Sequence, residues 1–149
     1  MFIEQILRKN TELARAAFAL HQGGRILPDS YLVDMDSLLE NAKKILEAGK
    51  REQIKLFFML KQLGRNPYIG KKLMELGYEG AVAVDFREAQ VLMKAGIPIG
   101  NVGHLVQIPD ALLPELIARK PQVITVYSLE KLKKVDMAAR DLGMVQGIL

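Results

Sequence analysis

Short β-rich runs alternate with helical segments along most of this chain, and this alternation limits the possible folds more than any other feature. The β-rich runs lie at 31–35, 54–61, 81–85, 101–107, 123–127 and 144–149. The helical segments lie at 2–20, 37–48, 67–76, 86–95, 110–119 and 128–142. A strand and a helix that repeat about every 20–25 residues predict parallel βαβ units. Two architectures use such units: an open doubly wound sheet and a (β/α)8 barrel.

Residues that typically begin and end helices stand at the boundaries of these segments. Asn66 followed by Pro67 is an N-cap with proline at the first helical position. Asp85 and Glu88 have the spacing of a capping box at the start of the next helix. Glycines that would end helices at the C′ position follow four of the segments, at Gly49, Gly77, Gly96 and Gly143. The boundary signals therefore agree with the alternation.

Composition indicates a globular chain with one sizeable core. The 149 residues are 50% hydrophobic and 26% charged, and no apolar run approaches the roughly 18 residues of a membrane helix. Cysteine is absent, which excludes disulfides and thiolate metal sites and fits a cytoplasmic protein. The net charge of +4 comes from lysine pairs in separate segments, interleaved with acidic residues. We therefore expect solvated helix faces, with neither a nucleic-acid nor a membrane partner.

The predicted strands present two different faces. Even-numbered residues form a uniformly aliphatic face, suited to helix packing, in the runs at 54–61, 81–85 and 123–127. Odd-numbered residues form a mixed face, which ends in Lys61, Asp85 and Tyr127. In both candidate architectures, sites form at the carboxyl ends of parallel strands. We therefore predict that these three side chains line a site at that edge.

Lys61 is the residue with the most distinctive chemistry. It ends the apolar run 54–61, and apolar surroundings favour a neutral amine, which can attack an aldehyde and form a Schiff base. The alternative is a lysine that reaches from the strand end into solvent with no chemical role. Burial and facing alone leave both interpretations open.

His104 is the second candidate, near the end of the run 101–107. A lone histidine there is either a hydrogen-bonded structural residue or an acid–base group. Two histidines without cysteine form no recognisable zinc pattern, and no phosphate-binding glycine motif or G-x-S-x-G elbow is present. The sequence therefore predicts no metal site.

Four stretches resemble one known family. "YLVDMDSLLENAKKI" (31–45) and "VAVDFREAQVLMKAGI" (82–97) are similar to the alanine racemase N-terminal domain superfamily, in which a lysine at a strand end holds pyridoxal 5′-phosphate (PLP). "KQLGRNP" (61–67) and "GHLVQIP" (103–109) resemble its YhfX-like branch. The resemblance implies a (β/α)8 barrel of the fold-type III PLP class, with Lys61 forming the internal aldimine.

The resemblance also implies a function. It points to a PLP-dependent enzyme that acts on an amino acid or related amine, most similar to alanine racemase. The implied cofactor-binding residues are Lys61, His104, Asp85 and Tyr127, and we expect a homodimer. A non-catalytic PLP-binding or homeostasis protein is the alternative, and a fragment without a site is the third interpretation.

The sequence departs from the family pattern in two respects. Alanine racemases follow their lysine with an A-N-A-Y-G type sequence, whereas residues 62–66 read QLGRN, so substrate specificity cannot be carried over. A complete barrel also needs roughly 250 residues. We therefore expect an N-terminal helix and loop at 1–30, then about five βα units of the barrel at 31–149. The phosphate-binding residues are expected beyond Leu149.

Overall fold

The computed structural model describes residues 2–149 and divides the chain into two compact units. One unit ends at Asn41, and the other runs from Ala42 to Leu149. Among the described residues, no helix is both long and apolar enough to cross a membrane.

The N-terminal unit contains two short helices where the sequence predicts one helix at 2–20. Helix α1 (Phe2–Lys9) and helix α2 (Thr11–Gln22) are separated at Asn10. The Asn10 side chain accepts a hydrogen bond from the Leu13 amide at 2.9 Å and so caps α2. The predicted single helix is therefore wrong, because asparagine offers its oxygen to a new helix start and interrupts the periodic pattern.

The predicted strand at 31–35 is also wrong. Helix α3 (Met35–Arg51) begins directly after Asp34, whose carboxylate accepts hydrogen bonds from the backbone amide and hydroxyl of Ser37. These bonds lower the pKa of Asp34 below its usual range. The β-branched and aromatic character of the run predicts a strand, but the aspartate at its end commits the chain to a helix.

The C-terminal unit is built around a five-stranded parallel sheet. Its strands are β1 (Phe57–Phe58), β2 (Gly80–Ala83), β3 (Ile99–Val102), β4 (Val123–Ile124) and β5 (Gly147–Ile148). The connecting helices are α4 (Pro67–Leu76), α5 (Phe86–Lys94), α6 (Leu113–Ala118) and α7 (Leu129–Asp141).

The spatial order of the strands follows the chain order, β1-β2-β3-β4-β5. A doubly wound sheet reverses its strand order at one point, whereas a (β/α)8 barrel adds each strand beside the previous one. The order therefore confirms the barrel-type fold, of which this chain supplies five consecutive strands.

The strand register defines two faces of the sheet. Phe58 lies beside Ala81, and Ala83 lies beside Val102, which lies beside Ile124. All five side chains are buried, and α5 contacts β2 and β3. This is the face that the helices cover.

The opposite face contains Val82, Asn101 and Val123 in one row. The assignment of Ala81 and Ala83 to the same face as Lys61 is therefore wrong. Alanine and valine are both apolar, so side-chain character alone could not tell the two faces of this strand apart.

Gly77 and Gly49 were both predicted to end helices, and the structure gives them different roles. Gly77 ends α4 with a left-handed φ of +108°, as predicted. Gly49 instead lies within α3, where a Cβ atom would be 2.8 Å from Leu56 Cδ1. The C′ prediction for Gly49 is wrong, because this glycine allows close packing rather than a turn.

Candidate functional site

Lys61 lies on a short turn directly after β1. It opens a 3₁₀ turn that covers Lys61–Leu63, and its side chain is exposed. The preceding Leu60 is 1% exposed, and its carbonyl accepts hydrogen bonds from the amides of Leu63 and Arg65 at 2.9 and 3.1 Å. The strand therefore ends before Lys61, and a buried leucine anchors the turn that presents the amine to solvent. The expectation that Lys61 ends the strand in apolar surroundings is wrong, because the chain turns outward after Leu60.

The turn continues through a left-handed segment into α4. Gly64 and Arg65 have φ values of +67° and +57°. Asn66 then accepts a hydrogen bond from the Tyr68 amide at 2.9 Å, which confirms the predicted N-cap. A left-handed φ costs free energy in a residue other than glycine, so Arg65 needs contacts that hold it there.

Those contacts come from the end of the neighbouring strand β2. The Arg65 guanidinium donates to Asp85 Oδ2 at 2.7 Å. Asp85 Oδ1 accepts from the Glu88 amide at 2.8 Å and so caps α5. Glu88 Oε2 accepts from the Val84 amide at 2.8 Å. Arg65, Asp85 and Glu88 form one network, which we call the carboxylate bridge, between the Lys61 turn and the end of β2.

Glu88 is the most deeply buried carboxylate of this bridge. Its side chain is 0% exposed, and its Oε1 atom has no hydrogen-bond partner within the part of the chain that the structure describes. Burial raises the pKa of Glu88 above its ordinary value of 4.5, although the Val84 amide and the Arg65 charge act in the opposite direction. The capping-box spacing predicts this residue, but not that its carboxylate reaches Val84 instead of Asp85.

The ends of β3 and β4 are joined by uncharged groups. The Tyr127 hydroxyl donates to the backbone carbonyl of His104. The Gln107 side-chain amide donates to the carbonyls of Gly103 and Thr125 at 3.0 and 2.9 Å. Both His104 and Tyr127 have exposed side chains. We call this second network the amide bridge.

One polar pair lies on the sheet face that the helices do not cover. The Thr125 hydroxyl donates to Asn101 Oδ1 at 2.9 Å, and Thr125 is 5% exposed. Sequence reasoning missed this pair and also missed Gln107. The available signal was the presence of polar residues inside otherwise apolar β-rich runs.

The four predicted site residues follow four consecutive strands. Lys61 follows β1, Asp85 follows β2, His104 follows β3 and Tyr127 follows β4. Because the strands are parallel, all four lie at the same edge of the sheet. Asp85 differs from the other three, since it is 8% exposed and its oxygens cap α5 and bind Arg65.

A parallel barrel-type sheet with reactive groups at the carboxyl ends of its strands is the architecture of many enzymes. Comparison with known proteins specifies the family. The family model described as "Alanine racemase, N-terminal domain" matches residues 33–149, so the chain belongs to this family. This confirms the resemblance found in the sequence.

Individual proteins are also similar to this chain. YhfX of Escherichia coli (strain K12) is 44% identical over all 149 residues of this chain, which spans 38% of that protein's length. Among solved structures, D-threonine aldolase from Filomicrobium marinum matches with a TM-score of 0.70 and 21% identity. That match covers 79% of this chain and 32% of the aldolase, and it shows a shared fold.

PLP is the cofactor implied by the family, and the Lys61 turn fits its aldehyde group. An aldehyde requires a primary amine that a large ligand can reach. Lys61 is exposed, lies after β1 at the carboxyl edge and stands on a turn anchored by Leu60. No salt bridge involves Lys61 within residues 2–149. Its amine is therefore not committed to a neighbouring carboxylate.

Proposed function

We propose that this chain contributes the cofactor-attachment part of a PLP-dependent enzyme that acts on an amino acid or related amine, most similar in reaction to alanine racemase. The main support for this proposal is the position of Lys61. Its amine is exposed on a turn that Leu60 anchors, and this turn follows the first strand of the parallel sheet in a chain of this family. Its attachment role follows from the chemistry of the amine rather than from any contact in the chain.

Lys61 would have two roles in such an enzyme. Lys61 Nζ would hold the cofactor covalently through its aldehyde group. When bound, PLP supplies an electron sink for negative charge at the substrate carbon next to the amine. With substrate present and Lys61 Nζ no longer bonded to the cofactor, this amine would accept or donate the proton on one face of that carbon.

His104 and Tyr127 would border the ligand from the ends of β3 and β4. The Tyr127 hydroxyl donates its hydrogen bond to the His104 carbonyl, so a ligand would contact the tyrosine ring. The His104 side chain is exposed at the same edge and offers an imidazole for hydrogen bonding or stacking. Asp85 would act indirectly, since its carboxylate is committed to Arg65 and the start of α5.

Absorption spectroscopy of the full-length protein tests the attachment role. Adding PLP to the wild type should produce a new visible absorption band, and Lys61→Ala should abolish it. Lys55→Ala is the matched control, because Lys55 belongs to the same β-rich run, is exposed and lies 4.0 Å from Glu79. An identical band in the wild type and in Lys61→Ala would refute the proposal.

Deuterium incorporation tests whether the protein turns over a substrate. A panel of D- and L-amino acids is incubated with the loaded protein in heavy water, and deuterium at the α-carbon is measured by mass spectrometry. The enzyme proposal predicts incorporation for at least one amino acid, lost in Lys61→Ala. Cofactor binding without incorporation for any member would instead support the non-catalytic PLP-binding protein.

A further inference from the structure

The carboxylate bridge has a composition that stability alone does not favour. Glu88 is completely buried with one oxygen unpaired, and burying a carboxylate that lacks a full set of hydrogen bonds costs free energy. A neutral amide could also accept the Val84 hydrogen bond. The charged groups therefore call for an explanation beyond packing.

The geometry of the carboxylate bridge suggests that its charged groups hold the Lys61 turn in place. Arg65 ends the turn that Lys61 begins, and its backbone holds a left-handed φ of +57°. Strained backbone persists where surrounding contacts over-determine it, and such residues cluster at functional sites. The guanidinium of Arg65 is bound to Asp85 at 2.7 Å, and Asp85 is in turn fixed by the α5 amide of Glu88 at 2.8 Å. The free end of the turn is thus tied to the rigid start of a helix.

The other end of the turn is tied to the core. Leu60 is buried, and its carbonyl receives the amides of Leu63 and Arg65. Lys61 lies between these two anchors. If the Arg65 side chain were released from Asp85, the left-handed segment would keep only its backbone bond to Leu60, and the position of the Lys61 backbone would be less defined.

We propose that Arg65, Asp85 and Glu88 are positioning residues that fix the turn carrying Lys61 and so hold its amine at one place on the sheet edge. The inference rests on the proposed function of Lys61, but it concerns the order of the turn before any ligand binds. It can therefore be tested without the cofactor.

Hydrogen–deuterium exchange of the cofactor-free, full-length protein tests it, read in peptides that cover residues 61–66. Asp85→Asn keeps an oxygen to cap α5 but removes the charge that faces Arg65. The amides of Leu63 and Arg65 should exchange roughly tenfold faster, the lower end of what loss of a charge-assisted hydrogen bond produces. Glu75→Gln is the matched control, because it removes the exposed Lys72–Glu75 pair, also 2.7 Å, on the adjacent helix.

Two further arms keep the test decisive. If Asp85→Asn loses its fold by circular dichroism, Arg65→Gln removes the same ion pair and leaves the α5 cap intact. Faster exchange in every variant that folds, with Glu75→Gln unchanged, supports the proposal. Unchanged exchange in a folded variant overturns it, as does equal acceleration in Glu75→Gln. Failure of the wild type to take up PLP would count against the proposed function alone, since the exchange result does not depend on PLP.

Discussion

The carboxylate bridge and the amide bridge both connect neighbouring strand ends at the carboxyl edge of the sheet, but they use different chemical groups. Backbone groups at strand ends need hydrogen-bond partners once they are buried. After β2 the partners are carboxylates: Glu88 accepts from the Val84 amide, and Asp85 accepts from the Glu88 amide and pairs with Arg65. At β3 and β4 they are a neutral amide and a hydroxyl, from Gln107 and Tyr127.

This difference indicates a division of roles along one edge. A buried charged network is sensitive to pH and to the loss of any member, whereas neutral amide bonds are insensitive near neutral pH. The charged network lies beside the only predicted attachment residue, Lys61. We therefore expect the β1–β2 end to be the more easily damaged and the more closely coupled to function.

The largest expected effect is at Glu88. Glu88→Leu would leave the buried Val84 amide without an acceptor, and an unsatisfied buried donor costs about 2–3 kcal/mol. Urea denaturation of the full-length protein, compared with the wild type, measures this loss. A cost below that of the equivalent change in the amide bridge would contradict the ranking of the two ends.

Gln107→Leu is the equivalent change in the amide bridge. It removes hydrogen bonds to the carbonyls of Gly103 and Thr125, and we expect a loss of about 1–2 kcal/mol in the same denaturation experiment. A carbonyl oxygen that lacks a partner is tolerated somewhat better than an N–H group that lacks one, which limits the cost. A loss larger than that of Glu88→Leu would show that the neutral end is the more important support.

The pH dependence of stability distinguishes the two bridges, because the carboxylate bridge contains Glu88, whose pKa is raised. The pKa of Glu88 is raised by burial, so the folded protein holds a proton that the unfolded chain has lost above pH 4.5. The stability that this proton contributes is fully present below pH 4.5 and declines as pH rises through the folded-state pKa. Relative to Glu88→Gln, the wild type should therefore lose stability with rising pH in this window. Parallel curves for the two proteins would argue against a raised pKa.

The smallest expected effect is at Tyr127. Tyr127→Phe removes only the hydroxyl that donates to the His104 carbonyl, at a side chain that is 64% exposed. We expect a loss of about 0.5 kcal/mol or less, because water can replace the hydroxyl. Thermal unfolding of this variant next to Gln107→Leu measures both members of the amide bridge. A larger loss than in Gln107→Leu would move the main support of this edge to the tyrosine.

Much of this fold could be predicted from the sequence because helix caps and the βα alternation depend on residues that are close together in the chain. The βα alternation, the Asn66 cap and the Asp85–Glu88 spacing each depend on residues a few positions apart. The prediction of a strand at 31–35 was wrong because Asp34 caps a helix, which overrides the β propensity of its neighbours.

Features that depend on register could not be predicted from the sequence. The Asn101–Thr125 pair joins a residue of β3 to the residue that follows β4, and a register shift between Ala81 and Val82 affects which side chains are neighbours. Gly100, beside this shift, packs so closely that a Cβ atom would be 2.4 Å from the Phe57 ring. The Arg65–Asp85 contact likewise appears only when the turn and strand β2 are brought together.

Reductive trapping tests the central claim most directly. Borohydride adds hydride to the bond between a lysine nitrogen and the cofactor carbon, which fixes the cofactor for peptide mapping. In the PLP-loaded, full-length protein we predict that the label is on Lys61 and is absent from Lys61→Arg, whose guanidinium does not attack aldehydes. A label on Lys55, which is exposed in the same β-rich run, or on no lysine of the chain would contradict the account.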